Sequence, residues 1–222
     1  MLAQFKDRTQ AGRLLAQKLA AYADRPDVVV LALPRGGVPV AYEVAEALRV
    51  PFDVFPVRKL GVPGHGELAM GAIAGDGVRV INEDLVQHLG ITNEQIDRVA
   101  AREQQELERR GRLYRGSRPA ADVRGQTVIL VDDGLATGAT MRAAVMALRR
   151  SRPAEIIVAA PVAAHSTCDE FRDELGTMCV CALVPFHFDA VGSWYMDFAQ
   201  TTDDEVRGLL ERAANSEARQ VA

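Results

Sequence analysis

Val128-Ile129-Leu130-Val131-Asp132-Asp133-Gly134-Leu135-Ala136-Thr137-Gly138-Ala139-Thr140 joins four apolar residues to two adjacent carboxylates, and these to a run of small residues that opens a helix. A continuous apolar run of this kind suits a strand covered on both faces. Such a strand delivers Asp132 and Asp133 to the C-terminal edge of a parallel sheet, where open α/β folds bind their ligands. Beyond the acids, small side chains let backbone N–H groups converge on an anion. The helix N-terminus adds partial positive charge, and the Thr137 and Thr140 hydroxyls add donors. The segment therefore offers acceptors for sugar hydroxyls or a hydrated Mg²⁺ beside a cradle for a phosphate, and a sugar phosphate satisfies both halves. Spacing excludes two other chemistries. A Walker loop needs Lys directly before its final Ser or Thr, where Ala139 stands. An aspartyl-phosphate phosphatase needs a second acid two positions after the first, where Gly134 stands.

The flanking sequence has a matching rhythm. Leu14, Leu15, Leu19 and Tyr22 lie at helical spacing and predict a helix over 8–23. Residues 28–33 form a second continuous apolar run, ended by Pro34-Arg35-Gly36-Gly37 and followed by a helix over 40–48. A strand over 53–57 leads into Arg58 and Lys59. Residues 61–77 hold six Gly and one Pro and read as a loop. A short strand near 78–81 precedes a long charged helix over 92–113, with Thr92 as N-cap and Gln95 at the capping-box position. A second polar loop covers 114–125. Strand 128–131, helix 140–150, strand 156–162, helix 167–175 and strand 180–184 then alternate, which predicts an α/β fold with a parallel sheet flanked by helices. The tail after Asn215 is polar and reads as frayed.

Composition narrows the function classes. In 222 residues no apolar run approaches the roughly 20 needed to cross a bilayer. The N-terminus MLAQFKDRTQ carries charge where a signal peptide would be apolar, so a cytoplasmic location is the expectation. A net charge of −4 gives no bulk electrostatic reason to expect nucleic acid. Of the 26 basic residues 23 are Arg, a residue suited to bidentate phosphate recognition, but 34 Ala point to genomic base composition, so the surplus counts only where position gives it a use. Cys168, Cys179 and Cys181 are the only cysteines, and alternation aims the last two at one face. A buried strand accounts for them better than a disulfide framework or a metal site. The four histidines form neither HExxH nor a pairing with CxxC, which argues against a zinc site.

VILVDDGLATGAT resembles the phosphoribosylpyrophosphate-binding motif of the type I phosphoribosyltransferases, and the chain as a whole resembles stand-alone bacterial members of that family. The resemblance implies a single domain over 1–222, with a core at about 26–60 and 124–184, an insertion at about 61–123 and a small C-terminal hood at about 185–200. It implies Mg²⁺-dependent transfer of a phosphoribosyl group to a nitrogenous acceptor with release of pyrophosphate. Asp132 and Asp133 would hold the ribose hydroxyls and, through water, the Mg²⁺; Ala136, Thr137, Gly138, Ala139 and Thr140 would wrap the 5′-phosphate. Arg35, Gly36 and Gly37 would form the pyrophosphate loop. Arg58 and Lys59 would contact pyrophosphate and serve catalysis, in relatives sometimes across a dimer, which leaves a homodimer open. Trp194, Tyr195 and Phe186 would receive the acceptor by stacking. A mobile loop is expected to exclude water: residues 61–77, or the segment holding Arg115 and Arg118. The alternative is a nucleotide or phosphoribosylpyrophosphate sensor that regulates a partner without catalysis, since fold does not fix function. A phosphohydrolase is a third reading, weakened by the lack of an evident activated nucleophile.

Overall fold

A computed structural model of the chain describes residues 4–74, 78–116 and 118–221. Its main sheet has five parallel strands, β1 (Val28–Ala32), β2 (Phe52–Val54), β6 (Thr127–Val131), β7 (Glu155–Val162) and β8 (Met178–Leu183), in the order β2-β1-β6-β7-β8. The predicted parallel α/β sheet is present, and alternation along each strand sorts its side chains between two cores. Val28, Val30 and Ala32 join Ile129 and Val131 under α1 (Arg8–Lys18), α2 (Gly37–Leu48) and α7 (Asp203–Val221). Val29 and Leu31 join Val128 and Leu130 on the opposite face, under α5 (Ala139–Arg150) and α6 (His165–Leu175). Every residue of β1 and β6 is buried, which is why both read as unbroken apolar runs.

Three expectations fail here. The strand read over 53–57 is two elements: β2 ends at Val54 in the parallel sheet, and β3 (Val57–Val62) starts a second, antiparallel sheet with β4 (His65–Ala74) and β5 (Arg79–Ile81). Most of the predicted loop over 61–77 is therefore hairpin. Residues 75–77 lie outside the described residues. Glycine within β4 serves close approach rather than a turn, since a Cβ on Gly71 would sit 2.3 Å from the Val80 carbonyl oxygen. This sheet packs with α3 (Glu83–His88) and α4 (Asn93–Arg115) around Leu60, Met70, Ile96 and Leu107. The Thr92/Gln95 capping box of α4 is made as predicted.

The polar tail is the second miss, because α7 runs through Val221; its apolar stripe Val206, Leu209, Leu210 and Ala213 closes the first core. The cysteines are the third. Cys179 and Cys181 share a face of β8, but α6 folds back so that Cys168 meets them, and Cys168 and Cys179 are joined as a disulfide. No described helix is long and apolar enough to cross a membrane.

Candidate functional site

Between β1 and β6 the strand order reverses: β1 leads out to β2, while β6 leads to β7 and β8 on the other side. Such a switch point opens a crevice at the carboxyl ends of the strands. Ala32 pairs in register with Val131, so the turn after β1 and the acids after β6 leave the sheet side by side. A Cβ on Gly36 would lie 2.1 Å from the Asp133 carboxylate, and one on Gly37 2.7 Å from the Val131 carbonyl oxygen. Only glycine allows this backbone to rest on the acids. The Pro34–Arg35 peptide is cis.

The loop after the acids is fastened at both ends. The Leu135 N–H donates to the Val162 carbonyl at 2.9 Å, and the Ala164 N–H donates to the Leu135 carbonyl at 3.0 Å. Gly138 adopts φ +66° directly before α5, and a Cβ there would meet Thr167 at 2.8 Å and Phe171 at 2.9 Å. The Thr167 hydroxyl donates to the Ala136 carbonyl beneath it. Ala136, Thr137 and Thr140 remain exposed. Residues 134–141 line a cavity of about 210 Å³ together with Asp132, Val191 and Lys59. An N-terminal helix turn, two hydroxyls and an ammonium group thus border one open cavity, the donor set an anion needs.

The acids are unequal. Burial raises both carboxyls above the ordinary Asp range, and the charge of Asp133 adds to this at Asp132. Asp132 accepts the Asp133 N–H at 2.9 Å. Asp133 is compensated by Arg8, whose Nη2 and Nε donate to its Oδ2 at 2.8 and 3.0 Å. The same guanidinium lies 4.1 Å from the Phe198 ring centroid and donates to the Ala199 carbonyl at 2.7 Å. The Tyr195 hydroxyl donates to the Asp133 carbonyl at 2.5 Å. Arg8 escaped sequence reading because nothing local separates it from 22 other arginines; pairing of Phe5 with Tyr195 carries it to the site.

Other predicted residues divide. Lys59 lines the cavity, but Arg58, one residue earlier in β3, points the other way and donates to Glu103 of α4 at 2.7 Å. Strand alternation forbids both from sharing the site. Arg35 lies 3.9 Å from Asp203 at the start of α7, and Asp203 also accepts the Tyr114 hydroxyl at 2.7 Å. Arg115 belongs to no lid: it ends α4 and donates to buried Asp53 of β2 at 2.9 Å. Arg118 donates to the Leu210 carbonyl of α7 at 3.2 Å. Trp194 and Tyr195, expected to stack on an acceptor, are buried in a small core with Phe5, Ala11 and Val162. Phe186 is 94% exposed and touches His187 edge-on. The acceptor expectation therefore loses its two buried rings to packing, because the N-terminal segment covers them.

A family model described as "Phosphoribosyl transferase domain" matches residues 2–188. A curated protein of Mycobacterium tuberculosis, named "Putative phosphoribosyl transferase MT0597", is 45% identical over 209 residues, 94% of this chain and 47% of its own length. The chain thus spans about half the length of the curated relatives it matches. Among solved structures, that of TT1426 from Thermus thermophilus is similar with a TM-score of 0.85 and 41% identity, covering 94% of this chain and 98% of that one. A hypothetical protein from Neisseria gonorrhoeae with bound ppGpp has a TM-score of 0.50 at 15% identity, covering 94% and 97%, and shares the fold.

Proposed function

The chain belongs to the phosphoribosyl transferase family, and from that premise we propose that it transfers the phosphoribosyl group of phosphoribosylpyrophosphate to a nitrogenous base with release of pyrophosphate. One observation carries the reading: Asp132, the small-residue loop and Lys59 border a single cavity at the sheet's switch point, with Asp133 next to Asp132 in the chain. The loop from Ala136 to Thr140 binds the 5′-phosphate through backbone N–H groups and the two hydroxyls. Asp132 and Asp133 accept hydrogen bonds from the ribose hydroxyls, which fixes C1 relative to the turn of Arg35, Gly36 and Gly37. That turn presents backbone N–H groups to the pyrophosphate, and Lys59 places an ammonium group where negative charge grows as the C1–oxygen bond breaks.

Adjacent carboxylates are hard oxygen donors, and among the described residues the hydrogen-bonded ion pair with Arg8 is made by Asp133 while Asp132 lines the cavity, so the pair fits a Mg²⁺ ion held directly or through water. When bound, the ion supplies positive charge to the leaving group. Exclusion of water falls to segments that cover the cavity, among which the β3–β4 hairpin already borders it through Lys59.

The test is incubation of labelled phosphoribosylpyrophosphate with a panel of bases, with and without Mg²⁺, reading nucleotide and pyrophosphate. Mg²⁺-dependent product from at least one base is expected. In calorimetry, Asp132→Asn combined with Asp133→Asn should abolish donor binding, and unchanged affinity would remove the acids from the site. Tight donor binding without pyrophosphate release from any base would replace transfer with the sensor reading.

A further inference from the structure

The cysteines play no part in the proposed transfer. All three in the chain converge from two elements: Cys168 from the first turn of α6, Cys179 and Cys181 from alternate positions of β8. The Cys181 sulfur lies 3.3 Å from that of Cys168 and 3.8 Å from that of Cys179, while Cys168 and Cys179 form the disulfide. All three sulfur atoms fall within 4.8 Å of one another. An ion bound at about 2.3 Å to each of several thiolates in tetrahedral arrangement sets sulfur–sulfur separations near about 3.8 Å. The Cys179–Cys181 edge of the sulfur triangle already has that length, the Cys168–Cys181 edge is shorter, and cleavage of the disulfide frees the third and lets Cys168 draw back.

We propose that the reduced chain holds one soft d¹⁰ cation of the zinc class on Cys168, Cys179 and Cys181. The donor set selects the ion: among the described residues no histidine or carboxylate belongs to the group, and thiolates favour soft or borderline cations over Mg²⁺. Cys179 and Cys181 are part-exposed, which gives the ion a way in.

The disulfide and metal forms exclude each other. A dithiol reductant gives the Cys168–Cys179 bond two electrons and two protons and leaves as its cyclic disulfide. The three resulting thiols then bind a divalent ion and release three protons. The adjacent Thr167 carries the hydroxyl under the Ala136 carbonyl, so the cluster stands one residue from the support of the candidate phosphate loop. The site is argued from the cysteines alone and stands whether or not the chain transfers phosphoribosyl groups.

The test uses the full chain, reduced with a water-soluble phosphine, freed of it without air and titrated with Cd²⁺. One Cd²⁺ per chain is expected, with an ultraviolet thiolate-to-metal charge-transfer band that also grows in when Cd²⁺ is added to the Zn²⁺-loaded chain and displaces the harder ion. Cys181→Ser should weaken binding at least about tenfold and lower the band to about two thirds. Alkylation followed by mass spectrometry needs no variant: one Cd²⁺ should protect all three cysteines of the wild-type chain. Absence of stoichiometric binding, protection of two cysteines only, or Cys181→Ser binding as tightly as wild type would each overturn the site.

Discussion

The segment that follows β6, beside β1 in the parallel sheet, and the hairpin β3–β4 border the same cavity but are held in place by different physics. The parallel strands are buried on both faces, and their contribution comes from where they stop: backbone turns, two acids and a helix start, all in register with one another. The hairpin is half-exposed, sits on its own core with α4, and contributes one side chain, Lys59, through alternation that turns Arg58 away. Position at a parallel-sheet edge is fixed by the whole core. Position on the hairpin depends on register within one strand and on how the second sheet is fastened to the first. The fastening includes Arg115, which closes α4 onto Asp53 of β2.

Breaking that fastening should have the largest effect on stability. Arg115→Ala leaves the Asp53 carboxylate buried without its cation and is expected to cost about 3 kcal/mol in denaturant unfolding. Loss below about 0.5 kcal/mol would mean the two sheets are joined by apolar contact alone.

The next comparison lies within β3. Lys59→Ala should lower kcat/KM by about 10²-fold with little change in melting temperature, as expected for removal of one charge donor to a leaving group. Arg58→Ala should do the reverse, because it strips a partner from buried Glu103: about 1 kcal/mol lost, with kcat/KM held within a few-fold. Equal kinetic losses in both variants would show that alternation does not decide which of them acts.

The smallest expected effect concerns Asp132. Its carboxyl is raised in the folded state, so the native chain holds that proton more tightly than the unfolded chain. Stability from this group is therefore present at low pH and declines as pH rises from the ordinary Asp value through the raised one. Asp132→Asn should remove the decline and raise the melting temperature by about 2–4 °C at neutral pH, a gain of about 1 kcal/mol. Melting curves of both proteins across pH check it: parallel curves would mean that Asp132 is not penalised by burial.

How much was legible follows from the same contrast. Residues 128–140 carried the strand, the acids, the loop and the helix start in one uninterrupted segment, so local chemistry sufficed. The hairpin was unreadable because its glycines, which resemble loop punctuation, serve close packing of strands, as Gly71 does against Val80. Arg8 was unreadable because its partner lies 125 positions away. Trp194 and Tyr195 looked available because sequence does not show that Phe5 and Ala11 cover them.

By itself the sequence determined the parallel sheet and the switch-point segment with its acids and small residues, since apolar run length, adjacent acids and small residues act through near neighbours along the chain. Only the tertiary structure decided which cations face that segment, that Lys59 reaches it while Arg58 and Arg115 hold the scaffold, and that three distant cysteines meet. Charge pairing and thiol proximity depend on distances in space between elements, and those distances are set by packing that no local pattern encodes.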